Sequence, residues 1–440
     1  MTVSFASLRD AKNASLFLSF LFCFHIAMEK VIAIIDLKSF YASVKCVSRH
    51  LDPFKTPLVC CDPYRSESSV VMSVSPYLKA EYGIPNVCRK RDLPKVDEMI
   101  YATPRMSYYL DVSSKVVGVF LEFVDLKDIH VYSVDEAFLN IGPYLSLYKC
   151  GPHELIERIQ RRIKKKFGLT ATAGVGPNPF LAKIALDQEG KKKPPYYAAW
   201  SEEDVPRKLW KITPMSKVWR IGTQTERRLR SIGINDMRSL ATASDELLLN
   251  AFGVLGLELK DLANGRDESD IRNPYIPKDT SLSLGQTLIR PHTLDEVRLL
   301  FKEMNDDLSE RMRLEGKKAS LVHVWIGYDG DFYSHQERLP FATADSKLLF
   351  EAIDRAVSYN AKHSPIRGIG IAYGKLEEET EASQLSLFES PLEQEKRMSL
   401  LRTIDNIHRL YGKNSVLRTS SLLSVSTAKR RHEQIGGHRE

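Results

Sequence analysis

The sequence predicts a multidomain α+β protein, and three observations lead to this fold class. The chain has 440 residues, a length that accommodates two to four domains with their own hydrophobic cores. In its first half, short β-branched and apolar runs alternate with amphipathic helical segments. A second region of mixed strand and helix patterns follows a proline-containing segment, so we expect at least two separate folding units.

Acidic residues adjoin several predicted buried strands. The apolar run Val31–Ile35 predicts a buried strand, and Asp36 follows it directly. Strand patterns at Ile129–Val134 and Phe138–Ile141 flank the pair Asp135–Glu136, which places this pair on a hairpin-like bend. An isolated buried charge is costly, so such carboxylates must be paired, hydrogen-bonded or bound to cations. On spacing alone, a helix-capping aspartate with an exposed acidic turn explains the pattern as well as a metal site does.

The helices of the first half are predicted from apolar periodicity. Apolar residues recur every four positions in Glu154–Phe167, and Gly168 ends that helix. Leu169–Val175 has a strand pattern, and Phe180–Leu186 has a helical one. Strands interleaved with two helices predict a split βαβ sheet whose helices pack on one face.

Composition divides the second half of the chain. The run KKKPP at Lys191–Pro195 marks a boundary, and short helical patterns punctuated by glycine continue to about residue 270. The segment Arg272–Thr280 contains two prolines and is typical of an extended linker. Mixed patterns in Leu282–Ala372 predict a second α+β domain, and a charged tail with a helical stretch at Leu400–Leu410 follows it.

The overall composition excludes several classes of protein. With 43% hydrophobic and 27% charged residues, the chain is not a disordered, collagen-like or multispan membrane protein. Lys and Arg total 63 against 56 for Asp and Glu, and this excess of +7 permits a nucleic-acid partner without requiring one. The six cysteines show no CxxC spacing and no HExxH motif occurs, so we expect a reducing cytoplasm and no structural zinc.

Residues 1–27 form an apolar N-terminal extension that can be interpreted in three ways. Ser15–Ala27 follows basic residues, as in a signal peptide, but it lacks a small-residue cleavage site and is shorter than the ~20 residues that span a bilayer. A genuine helical extension and a translation start at Met28 are also consistent with the pattern. We favour the start at Met28, because the chain from there leads directly into a buried strand, and we expect no membrane partner.

Three motifs carry a resemblance to a known family. Asp36–Val44 (DLKSFYASV), Tyr132–Leu139 (YSVDEAFL) and Gly174–Ala185 (GVGPNPFLAKIA) resemble, in this order, three motifs of the bacterial Y-family (UmuC-like) translesion DNA polymerases. The similarity extends from about residue 30 to residue 375. It implies a right-hand polymerase with a ferredoxin-like palm, small fingers, a helix-hairpin-helix thumb and an α+β little-finger domain.

The resemblance also implies domain boundaries along the chain. After the extension at 1–27, they are the palm at 28–40 and 103–195, the fingers at 41–102, the thumb at 196–270, the linker at 271–277, the little finger at 278–375 and the tail at 376–440.

The resemblance implies a two-metal catalytic site. Asp36, Asp135 and Glu136 would hold two Mg²⁺ ions, for which Mn²⁺ can substitute, and the carbonyl of Leu37 would be a backbone ligand. Oxygen ligands of this kind suit hard divalent cations, which keep substrate phosphates in the rest of their shell. Lys38 stands where many members of the family have an acidic residue, which argues against a fourth carboxylate.

The same resemblance implies residues that bind the incoming nucleotide. Tyr41 matches the steric gate that crowds a ribose 2′-hydroxyl, and Phe40 would pack beneath it. Lys183 would reach the triphosphate, and Tyr77 matches the tyrosine of a phosphate-contacting pattern. The position three residues after Tyr77 is alanine rather than a basic residue, so Lys79 is the nearest cation that can substitute.

The middle of the chain contains a candidate DNA-binding motif. Trp219–Ile234 resembles a helix-hairpin-helix, in which Gly222 opens a helix whose N–H groups can face a phosphate. Arg227, Arg228 and Arg230 follow on that helix. Without the flanking motifs, an ordinary helical hairpin with a solvated basic face explains this segment too.

A short peptide in the tail resembles the segment by which bacterial polymerases dock on the sliding clamp. It reads QLSLF and comprises Gln384, Leu385, Ser386, Leu387 and Phe388. A glutamine with spaced apolar side chains can fill an apolar pocket and hydrogen-bond at its rim. The bacterial sliding clamp is therefore an expected partner, whereas a recombinase or accessory subunit is a partner that the sequence leaves open.

The activity that the resemblance implies is addition of dNTPs to the 3′-hydroxyl of primer-template DNA, with release of pyrophosphate. Small fingers in this family imply low fidelity and synthesis across damaged templates as part of the DNA damage response. The alternative is a catalytically weak protein that binds DNA and the clamp and regulates stalled forks, and the missing basic residue after Tyr77 is its motivation.

Overall fold

The computed structural model describes residues 30–440 except 63–66, 86–87, 274–279, 363–364, 380–389, 436–437 and 440. The apolar extension, both linker prolines and the predicted clamp peptide lie outside these described residues. The chain divides into two units, residues 1–274 and 275–440. No helix in the described ranges is both long enough and apolar enough to cross a bilayer.

The first unit contains three regions that correspond to the expected palm, fingers and thumb. In chain order, its strands and helices are β1 (Ile32–Leu37), α1 (Phe40–Val47), β2 (Leu58–Cys60), β3 (Ser73–Val74), α2 (Pro76–Tyr82), β4 (Ile100–Ala102), α3 (Met106–Phe120), β5 (Ile129–Val131), β6 (Glu136–Asn140), α4 (Gly142–Tyr148), α5 (Pro152–Phe167), β7 (Ala171–Gly176), α6 (Pro179–Ala185), β8 (Tyr197–Ala199), α7 (Asp204–Arg207), α8 (Thr223–Ser231), α9 (Met237–Ala241), α10 (Asp245–Phe252) and α11 (Val254–Ala263). A π-helical turn, Leu186–Gly190, follows α6.

A five-stranded sheet in the order β5-β6-β1-β7-β8 forms the centre of this unit. Strand β1 pairs antiparallel with both β6 and β7, so that Asp36 stands opposite Glu136 on one side and Thr172 on the other. The sequence placed Asp135 and Glu136 together on a bend. Asp135 does lie between β5 and β6, but Glu136 is the first residue of β6 and belongs to the ladder.

The two faces of this sheet are both covered by helices, whereas we expected helices on one face only. Ala33, Ile35 and Leu37 pack against α3 and α5 on one face. Ile32 and Ile34 point to the opposite face and pack against Ala182 of α6 and Leu186. Successive side chains of a strand alternate between faces, so a central strand with an unbroken apolar run is buried on both.

Helix α6 lies directly on strand β7 because two glycines leave room for it. A Cβ added to Gly174 would stand 2.2 Å from the carbonyl oxygen of Ala182, and one added to Gly176 would stand 2.7 Å from the Ala182 nitrogen. Both contacts are with helix backbone, which cannot rotate away as a side chain can. The glycines of the third motif therefore set the position of α6, which carries Lys183.

We expect Gly174→Ala to lower the free energy of unfolding by about 3 kcal/mol or more, because the methyl group must push α6 off the sheet. Urea unfolding followed by circular dichroism measures this difference. Gly118→Ala is the matched control, because Gly118 lies in the last turn of α3 with no heavy atom near its added Cβ outside its own helix. Helix propensity predicts a gain of up to about 1 kcal/mol there. An unchanged urea midpoint for Gly174→Ala would contradict the close α6–β7 contact.

The fingers and thumb are smaller regions of the same unit. The strands β2, β3 and β4 form a sheet in the order β3-β2-β4, and α2 packs beside it on a small apolar core. The thumb region consists of short helices around a separate core that includes Leu209, Met215, Leu229 and Leu240. This agrees with the short, glycine-punctuated helices that the sequence predicts.

The second unit is the α+β domain expected after the linker, with the tail added to it. Its elements are β9 (Leu282–His292), α12 (Leu294–Leu314), β10 (Lys317–Gly327), β11 (Phe332–Thr343), α13 (Ser346–Asn360), β12 (Ile366–Glu378), α14 (Pro391–Tyr411), α15 (Ala428–His432), β13 (Gln434–Ile435) and β14 (His438–Arg439). An antiparallel sheet in the order β11-β10-β12-β9 packs on α12 and α13.

The tail docks on helix α12 through ion pairs, which the sequence did not indicate. Arg313 of α12 makes a bidentate pair with Asp405 of α14, at 2.6 and 2.7 Å, and both side chains are buried. Asp307 of α12 pairs with Arg431 at 2.7 Å. Ion pairs of both polarities thus hold the tail on α12, and residues 390–435 become part of the second unit.

Candidate active site

The three predicted catalytic carboxylates come together at one end of the central sheet. Asp36 and Glu136 are neighbours across the β1–β6 ladder. The carboxylate of Asp135 accepts a hydrogen bond from the Ser133 hydroxyl at 2.9 Å. The carbonyl of Asp135 accepts the N–H of Leu37 at 3.0 Å, which ties the bend to the end of β1. Two segments about 100 residues apart in sequence therefore meet at one site.

Lysine ammonium groups hold these carboxylates. Lys183 Nζ lies 2.6 Å from Glu136 Oε1 and 3.3 Å from Asp187 Oδ1. Lys191 Nζ lies 2.9 Å from Asp36 Oδ2 and 3.1 Å from both Glu136 Oε1 and Asp187 Oδ1. Among the described residues, no three acidic, histidine or cysteine side chains surround a common point as the ligands of one metal ion would.

Burial and mutual contact shift the protonation of the carboxylate pair. Burial raises the pKa of Asp36 to about 7, although the charge of Lys191 acts against this shift. Burial also acts to raise the pKa of Glu136, but the hydrogen bond from Asp36 and the charges of Lys191 and Lys183 outweigh it and hold the pKa at about 2. Burial therefore disfavours the charged form of both carboxylates, and the neighbouring lysine ammonium groups act against this effect.

A rigid aromatic cluster supports the predicted steric gate. The ring of Tyr41 lies 4.8 Å from the ring of Tyr109 and 5.4 Å from that of Phe40, which is fully buried. The Tyr109 hydroxyl contacts Cys60 Sγ at 3.0 Å, and the ammonium of Lys45 lies over the Tyr109 ring. Sequence reasoning did not identify Tyr109, whose only signal is its place in an apolar helical pattern.

Lys79, a half-buried residue of α2, is influenced electrostatically by the carboxylates. Burial lowers the pKa of Lys79, the charges of Lys38 and Lys191 lower it further, and the charges of Asp36 and Asp135 act against the shift. Lys79 is therefore within electrostatic reach of the site.

The other fingers residue of the predicted pattern has a different neighbour. The ring of Tyr77 packs edge-on against the ring of Tyr82, with centroids 6.4 Å apart. The nucleotide-binding roles expected of Tyr77 and Lys79 stay predictions.

Two regions of the chain match one known protein family. The impB/mucB/samB family matches residues 35–187, and the C-terminal domain of the same family matches residues 280–387. The chain belongs to this family. It is thus a bacterial Y-family polymerase, and the carboxylates, Tyr41 and Lys183 all lie within the first matched region or at its start.

Relatives of this Y-family polymerase are similar over almost their whole length. DNA polymerase IV 2 of Bacillus subtilis (strain 168) is 30% identical over 93% of this chain and 99% of its own length. UvrX of the same organism, provisionally named a UV-damage repair protein, is 33% identical over 93% of this chain and 98% of its own length. DNA polymerase IV 2 of Halalkalibacterium halodurans is 28% identical over 93% of this chain.

The fold of the Y-family polymerase is also that of a solved structure. A Y-family DNA polymerase chimera assembled from Dbh and Dpo4 superposes with a TM-score of 0.62 at 21% identity, over 78% of this chain and 98% of the chimera. The likeness confirms the predicted right-hand architecture as a fold.

The thumb of this Y-family polymerase presents part of the predicted DNA-binding set. Gly222 is the residue before α8, in an extended conformation. Arg227 is exposed, and the guanidinium of Arg228 lies over an aromatic ring at 4.8 Å. Arg230 is paired at 2.8 Å with Glu226, one turn earlier on the same helix. Two of the three arginines are therefore free of ion pairs in the thumb as the structure describes it.

Sequence reasoning missed Lys191 and Asp187, which the structure places at the centre of the Y-family site. The run KKKPP was interpreted only as a domain boundary. One signal was present. Charged residues recur at 183, 187 and 191, four positions apart, and this spacing would place them on one side of a helix that continued past the end of α6. Periodicity alone could not show that this face points to the carboxylates of another strand.

Proposed function

We propose that this Y-family DNA polymerase extends a primer 3′-hydroxyl on a DNA template by two-metal catalysis and copies damaged templates. The observation that carries the proposal is the meeting of Asp36, Asp135 and Glu136 at one end of the palm sheet, with Lys183 paired to Glu136. Relatives named DNA polymerase IV and a UV-damage repair protein supply the substrate class and the repair context.

The donor set fits divalent metal ions. All its side-chain donors are carboxylate oxygens, which hard divalent cations prefer, and Asp36 and Glu136 are neighbours across one strand pair. Asp36, Asp135, Glu136 and the carbonyl of Leu37 would hold two Mg²⁺ ions, or Mn²⁺ in their place. When bound, such ions lower the pKa of an attacking hydroxyl and stabilise a leaving phosphate.

The chain's own residues bind and select the nucleotide. Lys183, paired with Glu136, and Lys79 would supply positive charge for the triphosphate. The attraction between these charges and the phosphates is stronger in a partly buried site than in water. Tyr41, wedged against Tyr109 and Phe40, would occupy the volume that a ribose 2′-hydroxyl needs. Arg227, Arg228 and the N–H groups that follow Gly222 would contact DNA phosphates.

Primer extension tests the proposed function. The protein that starts at Met28, supplied with Mg²⁺ and dNTPs, is expected to extend a primer on an undamaged template and past an abasic site. Each reaction is repeated with excess chelator, which removes the ions, and DNA binding is measured by fluorescence anisotropy on the same substrate. DNA binding without extension on either template, with Mg²⁺ or Mn²⁺, would favour the regulatory alternative.

We also propose that Gln384–Phe388 docks on the bacterial sliding clamp. Replacing Gln384, Leu387 and Phe388 by alanine is expected to abolish stimulation of synthesis by the clamp and to leave distributive synthesis without clamp unchanged, because the catalytic residues lie in the first unit. Ser383→Ala, one residue before the peptide, is the control and is expected to keep both activities. Equal loss of both activities would show that the segment is structural.

A further inference from the structure

We propose that Lys191 is a resident counter-ion of the catalytic carboxylates and competes with the divalent cation for the same oxygens of Asp36 and Glu136. The inference rests on the proposed metal site and extends it to a residue outside the predicted set. Its basis is the position of Lys191 Nζ, which bridges Asp36 Oδ2 at 2.9 Å and Glu136 Oε1 at 3.1 Å.

The ammonium and a shared ion exclude each other on steric grounds. Mg²⁺ binds its oxygens at about 2.0–2.1 Å, and an ion shared by two carboxylates must lie between the two oxygens it binds. The ammonium nitrogen already lies between those two atoms at hydrogen-bond distance. Either cation can hold Asp36 Oδ2 and Glu136 Oε1, but both cannot do so together, and their charges also repel.

The structure holds Lys191 at this place from several sides. Its N–H donates to the carbonyl of Leu186 at 3.0 Å across the π-helical turn. Its carbonyl accepts a hydrogen bond from Lys38 Nζ at 2.7 Å. Asp187 adds a third carboxylate at 3.1 Å from the ammonium. Lys38 stands where many family members have an acidic residue. Its hydrogen bond to the Lys191 carbonyl therefore helps to position Lys191.

Lys191 differs from Lys183 in two ways that make it the competitor. Lys183 contacts only one of the three predicted metal ligands, Glu136, and its side chain is 8% exposed. Lys191 contacts two of them, and its side chain is 33% exposed, so it has a path to solvent. The expected consequence is that Lys191 weakens ion binding and that the concentration of ion needed for activity rises accordingly.

Direct Mn²⁺ titration tests the proposal without relying on catalysis. The free Mn²⁺ signal in electron paramagnetic resonance is followed as wild type, Lys191→Gln, Lys191→Arg and Lys192→Gln proteins are titrated without DNA or nucleotide. Lys191→Gln is expected to bind Mn²⁺ about tenfold more tightly, because it removes both the competing charge and the bound nitrogen. Lys191→Arg keeps the charge and is expected to stay within about twofold of wild type.

Lys192→Gln is the matched control, because Lys192 is the exposed neighbour in the same basic run. This variant loses one positive charge near the site, but Lys191 still contacts Asp36 and Glu136. Its affinity for Mn²⁺ is therefore expected to equal that of wild type. Melting temperatures in chelator are measured in parallel. A purely structural lysine would lower the melting temperature of Lys191→Gln and leave its Mn²⁺ affinity unchanged.

The outcomes separate this inference from the proposed function. Equal Mn²⁺ affinity for wild type and Lys191→Gln overturns the competition and leaves the metal site standing. An equal gain in Mn²⁺ affinity for Lys192→Gln also overturns the competition. The gain would then come from the loss of any nearby positive charge and not from Lys191 in particular. If wild type binds no Mn²⁺, or if Asp135→Ala/Glu136→Ala binds it as well as wild type does, the proposed metal site fails and the inference fails with it.

Discussion

The double variant Asp135→Ala/Glu136→Ala is expected to lose primer extension by a factor of about 10⁴ or more. Both carboxylates belong to the predicted ligand set, and Glu136 is also the residue that Asp36, Lys183 and Lys191 all contact. Removing them leaves one of the three predicted carboxylate ligands for two divalent ions and takes Glu136 away from both Lys183 and Lys191. Single-turnover extension with saturating primer-template measures the loss.

Binding and folding controls make this result specific. DNA affinity of the double variant, measured by fluorescence anisotropy, is expected to stay within a few-fold of wild type, because the thumb arginines are unchanged. Asp111→Ala is the matched control, since Asp111 is an exposed acidic residue of the same palm, paired only with Lys115 on the surface of α3. A double variant that extends primers within tenfold of wild type would exclude these carboxylates as the catalytic ligands.

Tyr41→Ala is expected to lower discrimination between dNTPs and rNTPs by a factor of about 100. The Tyr41 ring packs against the rings of Tyr109 and Phe40, so moving it aside for a 2′-hydroxyl would break these contacts. Alanine removes the ring and opens that volume. The measurement is the ratio of kcat/KM for one dNTP and the matching rNTP opposite the same template base.

Tyr41→Phe separates the ring from its hydroxyl. Phenylalanine keeps the bulk and the packing on Tyr109, so we expect it to keep the discrimination of wild type. If Tyr41→Ala retains the wild-type ratio, Tyr41 is not the gate, and a different residue must exclude the 2′-hydroxyl.

Much of the local structure was predictable because it depends on periodicity. The apolar run before Asp36 predicted β1, and the four-residue repeat in Glu154–Phe167 predicted α5 almost to its ends. The three motifs, by their order, predicted the family and the right-hand fold, which the comparisons confirm. Binding roles for Tyr77, Lys79 and the thumb arginines stay predictions, since they depend on DNA and nucleotide.

Helices on both faces of the palm sheet were not predictable from the same patterns. An apolar strand shows that it is buried, but its sequence does not say which helix covers which face. That choice was made by Gly174 and Gly176, which let α6 approach β7 to backbone contact. The tail was a similar case, since a charged helix is interpreted as solvated until its ion-pairing partners, here on α12, are known.

The sequence by itself determined the elements, the family and the residues at motif positions, because these depend on short spacings along one chain. Only the tertiary structure decided that Asp36 and Glu136 are ladder neighbours and that Tyr109 supports Tyr41. It also decided that Lys191 reaches the carboxylates. The physical reason is that contacts between distant segments depend on strand register and on which surfaces can approach closely, and neither has a local pattern.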